Sequence, residues 1–306
     1  MAGYTEVVRL LDVTNLRGTA LAFRSDVRRF KPPANPDPTL IDFVDRPFDS
    51  VTTVIDQLSR LETQLRTQGD RRAVFLTIYV RMTQQVRDGI ERDLFAEPGW
   101  MRRYLISFAN YYRQAFLAFE RGTLGKVPDP WRIAFATAVR GDTLIIQDAL
   151  LGVNAHINYD LALAINDVGI DPNRAQKYAD HGAINNILAR LVDAQQDALA
   201  DIYASGIDNI DAVFGRLDES LMLLSMTEGR EQAWRIAVIL TDIGVEPIAS
   251  YARWVLRATA TGGGFFILTP HLDSSLLRIL RNVENDRIDL DSVLERVEEH
   301  INCTRS

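Results

Sequence analysis

The chain has 306 residues, 47% of them hydrophobic and 25% charged, with a formal net charge of −7. This is the balance of a globular protein, long enough for one large domain or two small ones. The acidic excess argues against a general nucleic-acid binder, and no apolar run reaches the roughly 20 residues of a membrane span.

Cys303 is the single cysteine, which excludes an intramolecular disulfide and a cysteine-based metal site. The start, Met-Ala-Gly-Tyr-Thr-Glu, lacks the basic region and apolar core of a signal peptide, so a cytoplasmic location is expected. Only Lys31, Lys126 and Lys177 are lysine, against 31 arginines (34 minus 3). Salt adaptation and a GC-rich genome account for that bias about equally well.

Residues 1–48 read as an extended arm. Leu16 to Phe30 has mixed periodicity, and the prolines between Lys31 and Pro38 cannot continue a helix. Tyr4, Val7, Leu10, Leu11, Leu21 and Phe23 give the arm apolar anchors, so it is expected to pack on a helical domain spanning 49–306. From Ser50 a helix carries the stripe Val54, Leu58, Leu61, Leu65. Asp70 is placed to cap a second helix running to about Phe95, with Phe75, Ile78, Tyr79, Met82, Val86 and Ile90 on its buried side. The third, Trp100 to Glu120, is heavily aromatic: Tyr104, Phe108, Tyr111, Tyr112, Phe116, Phe119. Such a helix is a central core element or the wall of a small-molecule pocket.

Pro130-Trp131 opens a fourth helix through Ile145 and Leu151, with a bend expected at Gly141 or Gly152. The next segment runs to about Val168 and stops at Gly169-Ile-Asp-Pro172. Further helices are expected over His181–Tyr203, Asp208–Leu217, Asp218–Asp242 (interrupted at Gly229), Val245–Thr259, Ser274–Val283 and Leu290–Ile301. Gly262-Gly-Gly264 reads as a flexible connector, and Phe265 to Leu268 as a short strand or buried coil. The fold class is all-α: a single compact bundle of about ten helices with an extended N-terminal arm.

The segment Leu151 to Leu161 places Asn154, His156, Asn158 and Asp160 in seven residues of an otherwise apolar pattern. Asp180-His181 follows, with Asn185 and Asn186 just beyond. On a helix, His156 and Asp160 share a face, as do His181 and Asn185. Asp167 falls near the His156 face about three turns on. Two such helices give His156, Asp160 and His181 as ligands of a divalent ion, zinc or similar, with Asn154, Asn158, Asp180 and Asn185 orienting them. Bound water acidified by the ion suits hydrolysis of a phosphate or acyl ester, with the same three residues catalytic.

The rival readings are a metal-free acid–base site and a buried hydrogen-bond network in a non-catalytic scaffold or small-ligand binder. No HExxH, Gly-x-Ser-x-Gly or Asp-Asp-x-x-Asp motif is present. His271 reads as a surface or capping residue, and His300 as an exposed residue near a helix C-terminus.

The order of segments is itself informative: Phe75 to Thr83, Phe108-Ala-Asn-Tyr-Tyr112, Pro128-Asp-Pro-Trp131, Gly152 to Leu161, Asp180-His181 with Asn185, and Arg230 to Trp234. It resembles a family of uncharacterised helical proteins of bacteria and archaea, a domain of unknown function, over roughly 51–242. Asn-Ala-His-Ile-Asn-x-Asp-Leu is the specific part of the likeness. The resemblance implies no particular reaction, and it draws His156, Asp160 and His181 together as a unit.

Overall fold

In a computed structural model of the protein, Ser50 opens the first long helix, its hydroxyl oxygen accepting the Thr53 N–H at 3.1 Å. The structure describes residues 26–188, 226–243, 245–269 and 290–303, together with 6, 19–22, 278, 280–282 and 284. In chain order the helices are α1 (Pro38–Val44), α2 (Val51–Thr67), α3 (Ala73–Glu91), α4 (Pro98–Glu120), α5 (Asp129–Arg140) and α6 (Ile145–Ala155). A π-helical turn, His156–Asp160, joins α6 to α7 (Leu161–Val168). There follow α8 (174–188), α9 (Met226–Asp242), α10 (Glu246–Leu268) and α11 (Leu290–Cys303). No strand occurs among the described residues, and the chain is all-α.

The aromatic stripe sits at the centre. Tyr104, Phe108, Tyr112, Phe116 and Phe119 of α4 are all buried, against α3, α5 and α7. Tyr111 faces away and donates its hydroxyl to Asp167 at 2.7 Å. Within residues 26–48, Phe30, Leu40, Val44 and Phe48 enter the same core. Asn110 of α4 accepts the Phe48 N–H at 3.0 Å and donates to the Phe48 carbonyl at 2.9 Å. Arg113 donates to the Val44 carbonyl at 2.8 Å.

Several local expectations are corrected. The triglycine is not a connector, and Phe265 to Leu268 is neither strand nor coil: both belong to α10. Glycine is needed there for space. A Cβ on Gly263 would lie 2.6 Å from the Asn154 side-chain oxygen, and one on Gly264 would lie 3.3 Å from Ile133. Burial of the helix outweighs the poor intrinsic propensity of three glycines.

Asp70 does not cap α3 at its first residue. Its carboxylate accepts the Arg72 N–H at 2.9 Å and grips the Arg72 side chain, so the helix begins at Ala73. The fourth helix breaks at Gly141, whose φ of +63° is the left-handed geometry glycine tolerates, whereas Gly152 continues α6 against the ring of Phe75. Gly229 does not interrupt α9.

The expected helical segments within 189–225, most of Ser274–Val283, His271, and the anchors Tyr4, Val7, Leu10, Leu11 and Phe23 lie outside the described residues. His300 and Cys303 belong to α11.

Candidate functional site

Five aromatic rings enclose the imidazole of His156. It stacks on Phe108 with centroids 3.5 Å apart and planes 8° apart, and Tyr79 meets it edge-on at 4.4 Å. Phe75, Trp131 and Tyr112 close the remaining sides at 5.7, 5.8 and 6.3 Å. Asp160 lies one turn on, its Oδ2 3.0 Å from His156 Nδ1 and accepting the Trp131 indole N–H at 2.7 Å. His156 and Asp160 are each only 1% exposed. Burial alone holds the imidazole well below its usual pKa. It pushes the carboxyl well above the usual range, against the opposing indole hydrogen bond. Among the described residues His156 Nε2, Asp160 Oδ1 and the Tyr112 hydroxyl have no hydrogen-bond partner.

The asparagines serve the opposite face. Two residues on a helix turn about 200°, so Asn154 and Asn158 point away from His156. Asn154 donates to the Ala260 carbonyl at 2.7 Å and accepts from Asn158 at 3.0 Å. They tie the π-turn to α10 and α9, where Gly263 and Gly229 leave room for their oxygens. Asp167 leaves the His156 face altogether and binds Tyr111. The π-turn supplies the reason: one extra residue rotates everything after it by about 100°.

His181 has its own partners. Its Nε2 bonds the Arg230 carbonyl at 3.1 Å, which fixes the proton on Nε2. Nδ1 then accepts from the Tyr104 hydroxyl at 3.1 Å and from Arg230 Nη2 at 3.2 Å. Burial, with the Arg230 charge beside it, keeps this imidazole well below its usual pKa. Asp180 is not near the ring chemistry. Its two oxygens accept the Ala96 and Glu97 N–H groups at 2.8 and 2.7 Å, holding α8 to the start of α4. Asn185 accepts from Arg230 Nε at 2.7 Å. The structure thus pairs His156 with Asp160 and gives His181 to Tyr104 and Arg230. Tyr104 and Phe108, one turn apart on α4, link the two clusters. Among the described residues no group of three His, Cys, Asp or Glu side chains is arranged to hold a metal ion.

Trp131 and Arg230 belong to segments singled out in the sequence, but the sequence assigns no site role to either. Arg230 is 2% exposed, yet no carboxylate among the described residues lies within ion-pair reach of it. Neutral acceptors surround it: the His181 carbonyl, Asn185 and the His181 ring. Burial lowers its pKa, with Tyr104 opposing. Arg230 and Tyr104 line a small cavity of about 30 Å³ whose other walls include Tyr79, Met82, Met101 and Phe108.

No helix among the described residues is long and apolar enough to cross a membrane. No curated protein and no solved structure matches the chain. Residues 51–270 match a family of unknown function (DUF5995), further than the 51–242 expected and far enough to include α10. With more than half of its 306 residues matched, the chain belongs to that family, a family of unknown function.

Proposed function

We propose that this protein binds a small organic anion in the cavity between α3, α4, α8 and α9, without catalysing a reaction on it. The observation that carries this reading is Arg230. A guanidinium taken out of water is normally paired with a carboxylate. Among the described residues its hydrogen-bond acceptors are all neutral, and it lines a cavity whose other walls are largely apolar. A carboxylate-bearing ligand would supply the missing charge through a two-pronged hydrogen bond. The cavity of about 30 Å³ has room for only one or two waters, so an organic ligand enters by displacing the flexible side chains of Met82 and Met101. The His156–Asp160–Trp131 cluster and the asparagine pair then serve as the network that fixes the walls.

The test is thermal unfolding at fixed ionic strength with acetate, butyrate and benzoate against a chloride control. A specific acid at about 100 times its Kd stabilises by about 2.7 kcal/mol, a shift of a few degrees. The shift should vanish in Arg230→Gln. If none of these acids shifts the midpoint beyond chloride, the reading is wrong.

A second reading rests on the unpartnered His156 Nε2 and Asp160 Oδ1. A divalent ion held by His156, Asp160 and His181 would satisfy such atoms and support hydrolysis of a phosphate or acyl ester. Elemental analysis separates the two: about one ion per chain favours the metal site, and none favours the network.

A further inference from the structure

A second and larger cavity, about 350 Å³, lies at the junction of α5, α6 and α10, away from the aromatic box. Three arginines line it, Arg29, Arg140 and Arg281, with Asp142 the single carboxylate among its described lining residues. We propose that this cavity is an anion-binding site for a small molecule carrying a diphosphate group.

Charge gives the first argument. The chain is acidic overall, at −7, so its general field repels anions. Among its described lining residues three guanidiniums stand against one carboxylate, which reverses that field locally.

Preorganisation gives the second. Two guanidiniums lie over the buried ring of Phe30, Arg29 at 4.9 Å and Arg140 at 5.2 Å from its centroid. Arg29 also lies 5.6 Å from the Phe265 ring. Arg281 is held by a 2.7 Å bond to the Asp142 carbonyl. Three like charges are therefore fixed around one space by contacts that leave much of their donor capacity free.

The free valences give the third argument. Arg29 makes no hydrogen bond or ion pair to any described residue. Arg140 reaches Asp142 through Nε at 2.9 Å, and its terminal nitrogens make no hydrogen bond to a described residue. The other polar lining groups are already used, Gln147 donating to the Ile267 carbonyl at 2.8 Å and Thr137 to the Ile133 carbonyl at 2.8 Å. A monoanion would leave charge unmatched. A diphosphate offers several oxygens to several forks, and planar guanidinium recognition of phosphate is the chemistry arginine suits best. The space accommodates such a group with part of its substituent.

Calorimetric titration of the full chain with pyrophosphate, at low and moderate salt, tests the proposal. Saturable one-site binding is expected, weakening with salt. Arg29→Ala and Arg140→Ala should each weaken it at least about tenfold, the loss of one charge-assisted bond. Asp142→Asn should tighten it by removing the competing carboxylate. Arg230→Gln should leave it unchanged, since that residue belongs to the other cavity. Circular dichroism confirms that each variant is folded. Arg29 is exposed and makes no ion pair with a described residue, so its variant keeps the test decisive if Arg140→Ala unfolds. Absence of saturable binding at millimolar pyrophosphate overturns the proposal. So does unchanged affinity in both Arg29→Ala and a folded Arg140→Ala, or weaker binding in Asp142→Asn.

Discussion

Gly263 lies against Asn154 so closely that a β-carbon would stand 2.6 Å from the asparagine oxygen. Asn154 is pinned in turn by its bond to the Ala260 carbonyl and by Asn158. Gly263→Ala must push that pair out of register, although alanine is the better helix former. A loss of about 1–3 kcal/mol is expected, read as a lower midpoint in urea. An equal or higher midpoint would show that the approach of α10 to the π-turn is loose.

Replacing His156 separates the structural and metal readings within one variant. His156→Ala opens a hole among five rings and removes a partner of Asp160. The expected result is a loss of about 3 kcal/mol or more with no change in metal content. Loss of a bound ion at unchanged stability would support the metal reading.

The pH dependence has two opposing parts. His181 is held neutral, its pKa well below the ordinary value because of burial and Arg230. The unfolded chain takes up that proton first. Its contribution is therefore full above about pH 6.5 and is lost as pH falls below it. Asp148 behaves oppositely. Burial raises it to about 7, with Glu284 adding to the shift and Arg71 and Thr143 opposing. The folded state then holds a proton that the unfolded state has released, and stability falls as pH rises from about 4 towards 7. Each slope is at most about 1.4 kcal/mol per pH unit for one proton. Denaturant titrations across this range should show the acid-side loss reduced in His181→Gln and the opposite slope reduced in Asp148→Asn. Profiles identical to wild type in both variants would refute these assignments.

Arg72 and Glu120 form a buried ion pair between the start of α3 and the end of α4, with Asp70 on the same guanidinium. Removing one partner strands a charge. Glu120→Leu or Arg72→Met should each cost about 3–5 kcal/mol, while the double variant should cost less than the two losses combined. Additive losses in the double-mutant cycle would mean that the pair is not coupled.

Most helices are legible in the sequence because their stripes are long and periodic. Val54, Leu58, Leu61 and Leu65 on α2 are all buried, as are the aromatics that define α4, apart from Tyr111. The triglycine was misleading because its warrant is tertiary: the approach of Asn154 to Gly263 and of Ile133 to Gly264 is not visible in the sequence. The His156–Asp160 contact follows from spacing alone, and it survives within the π-turn. The position of Asp167 does not, since an inserted residue resets the phase. Arg230 shows a different limit. One arginine among 31 carries no local sign of burial, and its neutral surroundings among the described residues are visible only once α8 and α9 are placed.

Arg230 is proposed to anchor a small organic anion. Crystals soaked in 4-bromobenzoate, whose ring-bound bromine does not alkylate methionine or histidine, and measured at the bromine absorption edge give the answer. One anomalous peak is expected in the cavity beside Arg230 and Tyr104, absent from crystals of Arg230→Gln. No peak there in the wild-type protein, or the same peak in the variant, would contradict it.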